Sequence, residues 1–306
     1  MEIEKLDYDC DGQTEVLISG PLMNLYIQPH YGGSVFEMDV LPRRANLLNV
    51  LSRRPEPYHL KIAAAEKANG EKLESIHDIS RVKEKGLGDK IVHDWYLKRM
   101  FQDHLLAPDA ALDRFARADS AEYGDFVNQP YRLLEAAQQP TGGVRVRLER
   151  EGGIHRDGAL LPLTVRKTYH LKKEGGRVEY EIVTGRDFPK GVRTIFGIEL
   201  NFTLPNAISP GQHLVVNHGS ATGLTDRKEI RDVESLALED GPGKMKLFFT
   251  ATEKLNLWTF PIETVSQSES GLERTYQGTS ALLWRTLELG ASQKHKMTLE
   301  FRLTLA

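Results

Sequence analysis

Apolar and polar residues alternate strictly in several segments of the second half of the chain, which is the pattern of strands with one buried and one exposed face. The segments are Val144–Glu149, Val178–Ile182, Phe196–Leu204 and Met297–Leu305. The alternation in the third segment predicts that Glu199 lies on its polar face. Turn-forming pairs such as Gly175-Gly176 separate the segments and favour hairpins over crossover helices. We therefore expect antiparallel pairing.

The first half of the chain has a different character. One more alternating segment, Phe36–Val40, follows the pair Gly32-Gly33. From about residue 58 to 117 the chain is rich in Ala, Lys, Glu and Leu, and we predict helices over Tyr58–Ala68 and Asp94–Leu106. The sequence thus predicts a single, mainly β domain over residues 1–306. It is a large two-sheet antiparallel sandwich with a small helical insertion at about 58–117.

The amino-acid composition restricts the classes of molecule that this protein could bind. Lys and Arg total 40 against 43 for Asp and Glu, so the near-neutral field gives no support for a nucleic-acid partner. No continuous apolar segment is long enough to span a bilayer, and we expect no membrane partner. The lone cysteine, Cys10, cannot form an internal disulfide. We expect a cytoplasmic protein.

The densest polar cluster lies near the N-terminus and has the spacing of a calcium loop. Carboxylates at alternate positions around a glycine can converge on a hard cation, although Ile18 stands where a helix–loop–helix calcium hand needs its glutamate. We predict a strand-entry Ca2+ loop, against the alternative of a solvated acidic turn. Its ligands would be Asp7, Asp9, Asp11, the backbone carbonyl of Gln13, and Glu15.

A second cluster, of histidines and aromatic residues, lies in or near the predicted insertion. Such clusters commonly stabilise structure. The alternative is a saccharide site, because aromatic rings bind the apolar faces of sugars while His, Arg and carboxylates bind their hydroxyls. The candidate carbohydrate-binding residues are Tyr58, His59, His93, Trp95, Tyr96, Arg99 and Asp103.

The sequence offers no candidate catalytic residue. The serine-hydrolase elbow, the phosphate-binding loop and the dinucleotide fingerprint are all absent. No pair of carboxylates stands out among the 43 acidic residues for glycoside hydrolysis.

Several stretches in chain order resemble the C-terminal region of glycoside hydrolase family 57 α-amylases and 4-α-glucanotransferases. They are Asp7–Leu17, Pro29–Asp39, Asn46–Asn49, Leu51–His59, Ile76–Asp78, Asp94–Tyr96, Asp103–Leu106 and Tyr276–Gly278. The strings Gly-Gly-Ser-x-Phe-Glu from Gly32 and Arg-Arg-Pro-Glu-x-Tyr-His from Arg53 are the most specific in combination.

The resemblance implies a β-sandwich similar to the galactose mutarotase fold, which follows a catalytic barrel in that family. Nothing here matches the barrel motifs, so the resemblance carries over no catalytic residue. It implies a non-catalytic accessory domain that supports a barrel domain or subunit and contributes to binding α-glucans such as maltooligosaccharides. The alternative is a mutarotase-like or epimerase-like enzyme in its own right, which needs a positioned acid–base pair. The sequence leaves open whether the chain is an excised domain or a free-standing protein.

Overall fold

The structure is a computed structural model that describes residues 1–60, 87–140, 142–204, 209–268 and 271–306. Most of the first predicted helix, Tyr58–Ala68, lies outside the described residues. Residues 57–60, at its start, are described and are helical. The stretch Ile76–Asp78 lies outside them as well.

Strands dominate the described part of the chain. Seventeen of them are present: β1 Glu2–Leu6, β2 Glu15–Ser19, β3 Met23–Gln28, β4 Ser34–Val40, β5 Ala45–Asn46, β6 Met100–Leu106, β7 Arg132–Gln138, β8 Val144–Arg156, β9 Ala159–Lys172, β10 Gly175–Thr184, β11 Val192–Phe202, β12 Gln212–Val216, β13 Ser220–Gly223, β14 Lys228–Asp240, β15 Met245–Ser268, β16 Gly271–Leu289 and β17 Lys294–Leu305. Short helical turns occur at Leu41–Arg43, Gly88–Lys90 and Leu112–Ala116.

The strand pairings, all antiparallel, link the seventeen described strands into one continuous sheet, which folds into two layers that we call sheet I and sheet II. Sheet I runs in the order β1, β2, β3, β4, β6, β11, β16 and the second half of β15, with β5 on β4. Sheet II runs in the order β7, β8, β9, β10, β17, the first half of β15, β14, β12 and β13. The alternating segments that predicted strands correspond to β4, β8, β10, β11 and β17. The mainly β, antiparallel fold class is confirmed.

A bent hairpin joins the two sheets. In β15, residues Met245–Ala251 pair with β17 of sheet II, whereas Asn256–Ser268 pair with β16 of sheet I. Its partner β14 follows the bend, with register shifts on either side of Val233. Such irregularities increase the local twist and allow a strand to turn a corner.

The main core lies between the sheets. Phe101 of sheet I packs against Tyr169 and Phe301 of sheet II, with ring centroids 5.9 and 5.6 Å apart. Tyr180 and Phe196 make a similar contact between β10 and β11. A second, smaller core covers the outer face of sheet I, where Phe115 packs against residues of β15.

The predicted helix Asp94–Leu106 is wrong, because Met100–Leu106 is strand β6 and lies between β4 and β11 in sheet I. Every residue of β6 is buried. One face of the strand packs on sheet II, and the other packs on the chain segment that follows β6, which contains Phe115 and Glu122. A strand buried on both faces does not alternate, so its period was not visible.

The expected exposure of Glu199 is also wrong. Its side chain is completely buried. It lies on the outer face of β11, but that face is covered by the chain around Lys98 and Phe115. Glu199 and Asn201, the polar residues in the second half of β11, are therefore buried rather than solvated, whereas Arg193 near its start is exposed.

No helix in the described part of the chain has the length and apolar character needed to cross a membrane.

Candidate functional site

A cleft of about 630 Å³ lies beside the outer face of sheet I, and we refer to it as the cleft. Loops that follow β5 and precede β6 make two of its walls, and β15 and β16 make the third. The lining residues are Phe36, Leu48, Val50–Arg54, Glu56, Tyr58, His59, Ile91, Val92, Leu97–Arg99, Glu263–Ser266 and Gln277. Both apolar and polar side chains are present, as in most small-molecule sites.

An ion pair fixes the first wall to the second. The Arg53 guanidinium donates to both carboxylate oxygens of Asp94, at 2.6 and 3.0 Å, and the Arg53 backbone N–H donates to Asp94 at 2.8 Å. Both side chains are almost fully buried. A two-pronged contact of this kind fixes orientation as well as distance. The loop before β6 is therefore held against the loop after β5.

A buried network of charges lies under the cleft. Glu199 accepts hydrogen bonds from Lys98 Nζ at 2.9 Å, from Ser280 Oγ at 2.9 Å and from His104 Nε2 at 3.0 Å. The other ring nitrogen of His104 lies 2.7 Å from Glu122. We call Lys98, Glu199, His104 and Glu122 the outer network.

Electrostatics keeps this network charged. Burial alone would raise the pKa of Glu199, but Lys98 and His104 outweigh burial and hold that pKa well below its usual range. Burial alone would lower the pKa of His104, but Glu122 and Glu199 outweigh it and raise the pKa to about 9. His104 is therefore a cation at neutral pH, and both its ring nitrogens donate. The pair His104–Glu199 is closed to solvent, so it does not offer the open acid–base pair that an epimerase needs.

The structure brings four of the predicted carbohydrate-binding residues together at the cleft. Tyr58, His59 and Arg99 line it. The His93 ring stacks on the His59 ring with centroids 5.4 Å apart. His59 donates its Nε2–H to the Val265 carbonyl at 3.1 Å, which holds the ring against the third wall.

The other three predicted residues lie elsewhere. Trp95 is 47% exposed but outside the cleft lining, and its ring packs on Tyr96. Tyr96 is buried, and its hydroxyl accepts a hydrogen bond from Lys98 at 2.7 Å. Asp103 is fully buried between the sheets, 2.9 Å from Lys167 Nζ and 2.6 Å from the Tyr131 hydroxyl. Asp103 is thus closed to a ligand, because its position in β6 points it inward.

Sequence reasoning missed the contributions of distant residues to the cleft. Phe36 comes from β4, and Thr264 and Gln277 come from the third wall, where Gln277 donates to Thr264 at 2.8 Å. Phe36 and Gln277 do lie in stretches that carry the family resemblance. Their meeting with Tyr58 depends on strand pairing, which no local pattern reveals.

Arg99 lines the cleft in an unusual environment. Its guanidinium carbon lies 4.3 Å from the ring centroid of Tyr31 and 5.6 Å from that of Phe36. Burial lowers the pKa of Arg99 to about 10, while Tyr31, Asp9 and Glu15 act in the opposite direction. Arg99 therefore remains a cation at neutral pH.

The acidic loop that predicted a calcium site folds back on itself. Asp7 accepts hydrogen bonds from the backbone of Asp11 and Gly12, each at 3.0 Å, and the buried Glu15 accepts one from Tyr8 at 2.8 Å. Carboxylate oxygens of Asp7, Asp9 and Glu15 lie within 4.8 Å of one another.

The other two predicted calcium ligands, Asp11 and Gln13, are not part of this group of three carboxylates. Asp11 belongs to a second group with Glu15 and His30, whose Nε2 lies 3.0 Å from Asp11. Gln13 donates its backbone N–H to Asp11 at 2.8 Å. Gln28 reaches the first group from β3, with its amide nitrogen 3.0 Å from Asp9. The spacing in the sequence indicated the acidic residues but not Gln28 or His30.

Comparisons with known proteins agree on one family. Residues 7–299 match the family model described as "Alpha-amylase/4-alpha-glucanotransferase, C-terminal". The 4-alpha-glucanotransferase of Thermococcus litoralis is 30% identical over 299 residues, which is 97% of this chain and 40% of that protein. Alpha-amylase 1 of Dictyoglomus thermophilum is 30% identical over 300 residues, which is 96% of this chain and 41% of that protein.

Solved structures give the same result. The crystal structure of the Thermococcus litoralis 4-alpha-glucanotransferase matches with a TM-score of 0.75 at 28% identity, covering 98% of this chain and 41% of that one. A galactose mutarotase-like protein from Clostridium acetobutylicum matches with a TM-score of 0.57 at 9% identity, covering 100% and 99% of the two chains, and shows the fold alone. This chain spans about 40% of the length of the curated relatives that it matches. The chain belongs to the family of α-amylase/4-α-glucanotransferase C-terminal domains.

Proposed function

We propose that this chain is the accessory domain of an α-amylase or 4-α-glucanotransferase, that it supports a catalytic barrel, and that it binds an α-glucan in the cleft. Family membership and the partial coverage of the relatives support the accessory role. The observation that carries the glucan part is the cleft itself, which gathers Tyr58, His59 and Arg99 with His93 beside them. The placement in glycoside hydrolase family 57 and the cytoplasmic location stay predictions.

The chemistry of the cleft suits a saccharide. Tyr58 and Phe36 offer apolar rings to the C–H faces of a sugar, and His59, Arg99 and Gln277 offer polar atoms to its hydroxyls. The volume of about 630 Å³ is within the usual range for small-molecule sites.

Calorimetric titration with a maltooligosaccharide tests this function. We expect Tyr58→Ala to weaken binding at least tenfold, since it removes an aromatic surface at the cleft. Trp95→Ala is the matched control, because Trp95 is an exposed aromatic outside the lining, and its affinity should stay within threefold of wild type. Absence of binding by the wild-type chain would refute the glucan part and leave a scaffold role. A larger loss in Trp95→Ala than in Tyr58→Ala would move the site out of the cleft.

We further propose that the acidic loop binds Ca2+ through Asp7, Asp9 and Glu15, with Asp11 as an additional ligand. The convergence of the three carboxylates supports this. A cation that binds only the folded state stabilises it by mass action, by about 2.7 kcal/mol at a hundred times its dissociation constant. Melting in calcium should therefore occur at a higher temperature than melting in chelator.

The loop variant Asp9→Asn should abolish that difference, while Glu4→Gln in the neighbouring strand β1 should keep it. Equal melting of the wild-type chain in calcium and in chelator would exclude the site.

A further inference from the structure

Arg99, which lines the cleft, is a half-buried cation with an unsatisfied donor. Arg99 Nη1 is inaccessible to solvent and has no hydrogen-bond partner. Among the described residues, no carboxylate forms an ion pair with Arg99, whose guanidinium lies against the rings of Tyr31 and Phe36. Burying a charge without a partner is costly, and proteins normally supply one.

The two buried cations at the cleft, Arg53 and Lys98, have their hydrogen-bonding partners, which distinguishes them from Arg99. Arg53 is paired with both oxygens of Asp94, and its remaining Nη1 donates to the Ala116 carbonyl. Lys98 is paired with Glu199 and donates to Tyr96. Structural needs therefore account for those two cations but leave Arg99 Nη1 without an acceptor.

The charges that face Arg99 come from the acidic loop. Asp9 and Glu15 are near enough to favour its protonated form, but they bind elsewhere: Asp9 accepts from Gln28 and Glu15 accepts from the Tyr8 backbone. They reduce the attraction of Arg99 for an anion without occupying its donors. The rings of Tyr31 and Phe36 restrict the guanidinium, so that little side-chain freedom remains to be lost on binding.

We propose that Arg99 is the centre of an oxyanion-binding subsite in the cleft, which takes a phosphate ester or carboxylate group carried by a saccharide. The saccharide part rests on the proposed glucan function, whereas the oxyanion part rests on the Arg99 environment alone. A guanidinium forms two parallel hydrogen bonds with either group, and such charge-assisted bonds are stronger than those to a neutral hydroxyl.

The test compares ligands and variants by calorimetry at low ionic strength. The probes are inorganic phosphate, glucose 6-phosphate, glucuronate and maltotriose. We expect the wild-type chain to bind glucose 6-phosphate or glucuronate at least tenfold more tightly than maltotriose, and the relative affinity of these two probes identifies the anion. Arg99→Gln should lose at least tenfold in affinity for the charged probes and less than threefold for maltotriose. Arg193→Gln, an exposed arginine of β11, is the charge-matched control and should leave all affinities within threefold.

A second measurement separates a binding role from a structural one. Because Arg99 is a half-buried cation without an ion pair, Arg99→Gln should melt at the same temperature as wild type or higher when no anion is present. Phosphate should raise the melting temperature of the wild type but not that of the variant. Melting of the variant well below wild type in anion-free buffer would show that Arg99 serves packing and would overturn the proposal.

The outcomes for the two functions are distinguishable. Maltotriose binding without preference for any charged probe would refute the oxyanion subsite and retain the glucan cleft. Phosphate binding that depends on Arg99, without maltotriose binding, would retain the subsite and refute the glucan function.

Discussion

Two adjacent residues of β6 contrast the inside of the sandwich with its outer face. Asp103 points between the sheets, where Lys167 and Tyr131 bind it, and His104 points outward to Glu199 and Glu122. Each is buried and each has a charged partner, yet the electrostatic outcome is opposite. Burial raises the pKa of Asp103 and lowers that of Lys167, so burial opposes the charges of the inner pair. In the outer network the partners outweigh burial and stabilise the charges.

The difference shows what each arrangement can do. Lys167 also donates to the carbonyls of Gly32 and Phe101, both at 2.7 Å, so the inner pair holds backbone of two separate segments. Phe101 has a positive φ of 61°, a strained backbone conformation for an aromatic residue, and its carbonyl is one of those that Lys167 binds. The inner pair therefore holds in place the packing between the two sheets. The outer network includes Lys98, a residue of the cleft lining, and links the site to the sheet.

The largest expected effect comes from breaking the inner pair. Lys167→Met leaves Asp103 buried without its cation and removes the Lys167 donor from two carbonyls, and we expect a loss of about 3–5 kcal/mol in the free energy of unfolding. Urea denaturation measures it. Lys172→Met, an exposed position of the same strand, should change the free energy by less than about 0.5 kcal/mol.

The same experiment tests whether the inner charges themselves are needed. Replacing both partners, as Lys167→Met with Asp103→Leu, should recover part of the stability, because no uncompensated charge remains. A double variant as unstable as the single one would mean that the carbonyl contacts dominate.

The second prediction concerns pH and the outer network. His104 has a pKa of about 9 in the folded protein against an ordinary value of 6.5. A raised pKa stabilises the fold fully below pH 6.5, and this contribution is lost as pH rises through 9. Each pKa unit corresponds to about 1.4 kcal/mol, so we expect a decline of roughly 3 kcal/mol.

Urea midpoints between pH 6 and 10 measure the decline, and Glu199 remains ionised over that range. His104→Gln should have a flatter profile than wild type. If this variant does not fold, the chemical shifts of the His104 ring in the wild-type protein report its titration directly. A midpoint of that titration near 6.5 would contradict the contrast between the two regions.

The smallest expected effect is the loss of one neutral hydrogen-bond donor to Glu199 of the outer network. Ser280→Ala removes the hydroxyl that donates to Glu199 at 2.9 Å, while Lys98 and His104 remain. Hydrogen bonds to charged groups contribute about 1.5–3 kcal/mol, and we expect the lower end because two cations still bind this carboxylate. Thermal melting measures it. Ser19→Ala, at the exposed end of β2, is the control and should leave the melting temperature unchanged.

These contrasts also explain how far the sequence could predict the molecule. Strands with one exposed face, such as β10 and β17, can be recognised in the sequence because apolar and polar residues alternate along them. Strand β6 could not be recognised in this way. Asp103 and His104 have the character of exposed residues until their partners Lys167 and Glu199 are known.

The candidate sites follow the same rule. Asp7, Asp9 and Glu15 are close in sequence, and their convergence was predictable from spacing. Arg99 was selected for its type and its neighbourhood, but its position against Tyr31 and its unsatisfied donor depend on the tertiary fold. Local chemistry can therefore be predicted from sequence, whereas pairing across long separations needs the structure.

The bent hairpin of β14 and β15 has a mechanical consequence. β15 is 24 residues long, and its two halves belong to different sheets, so one continuous backbone runs through both layers of the sandwich. Tension applied to one layer passes along that backbone into the other without relying on side-chain contacts. The layers therefore cannot slide past each other unless β15 separates from β16 or β17. We expect the domain to unfold under tension in one cooperative event.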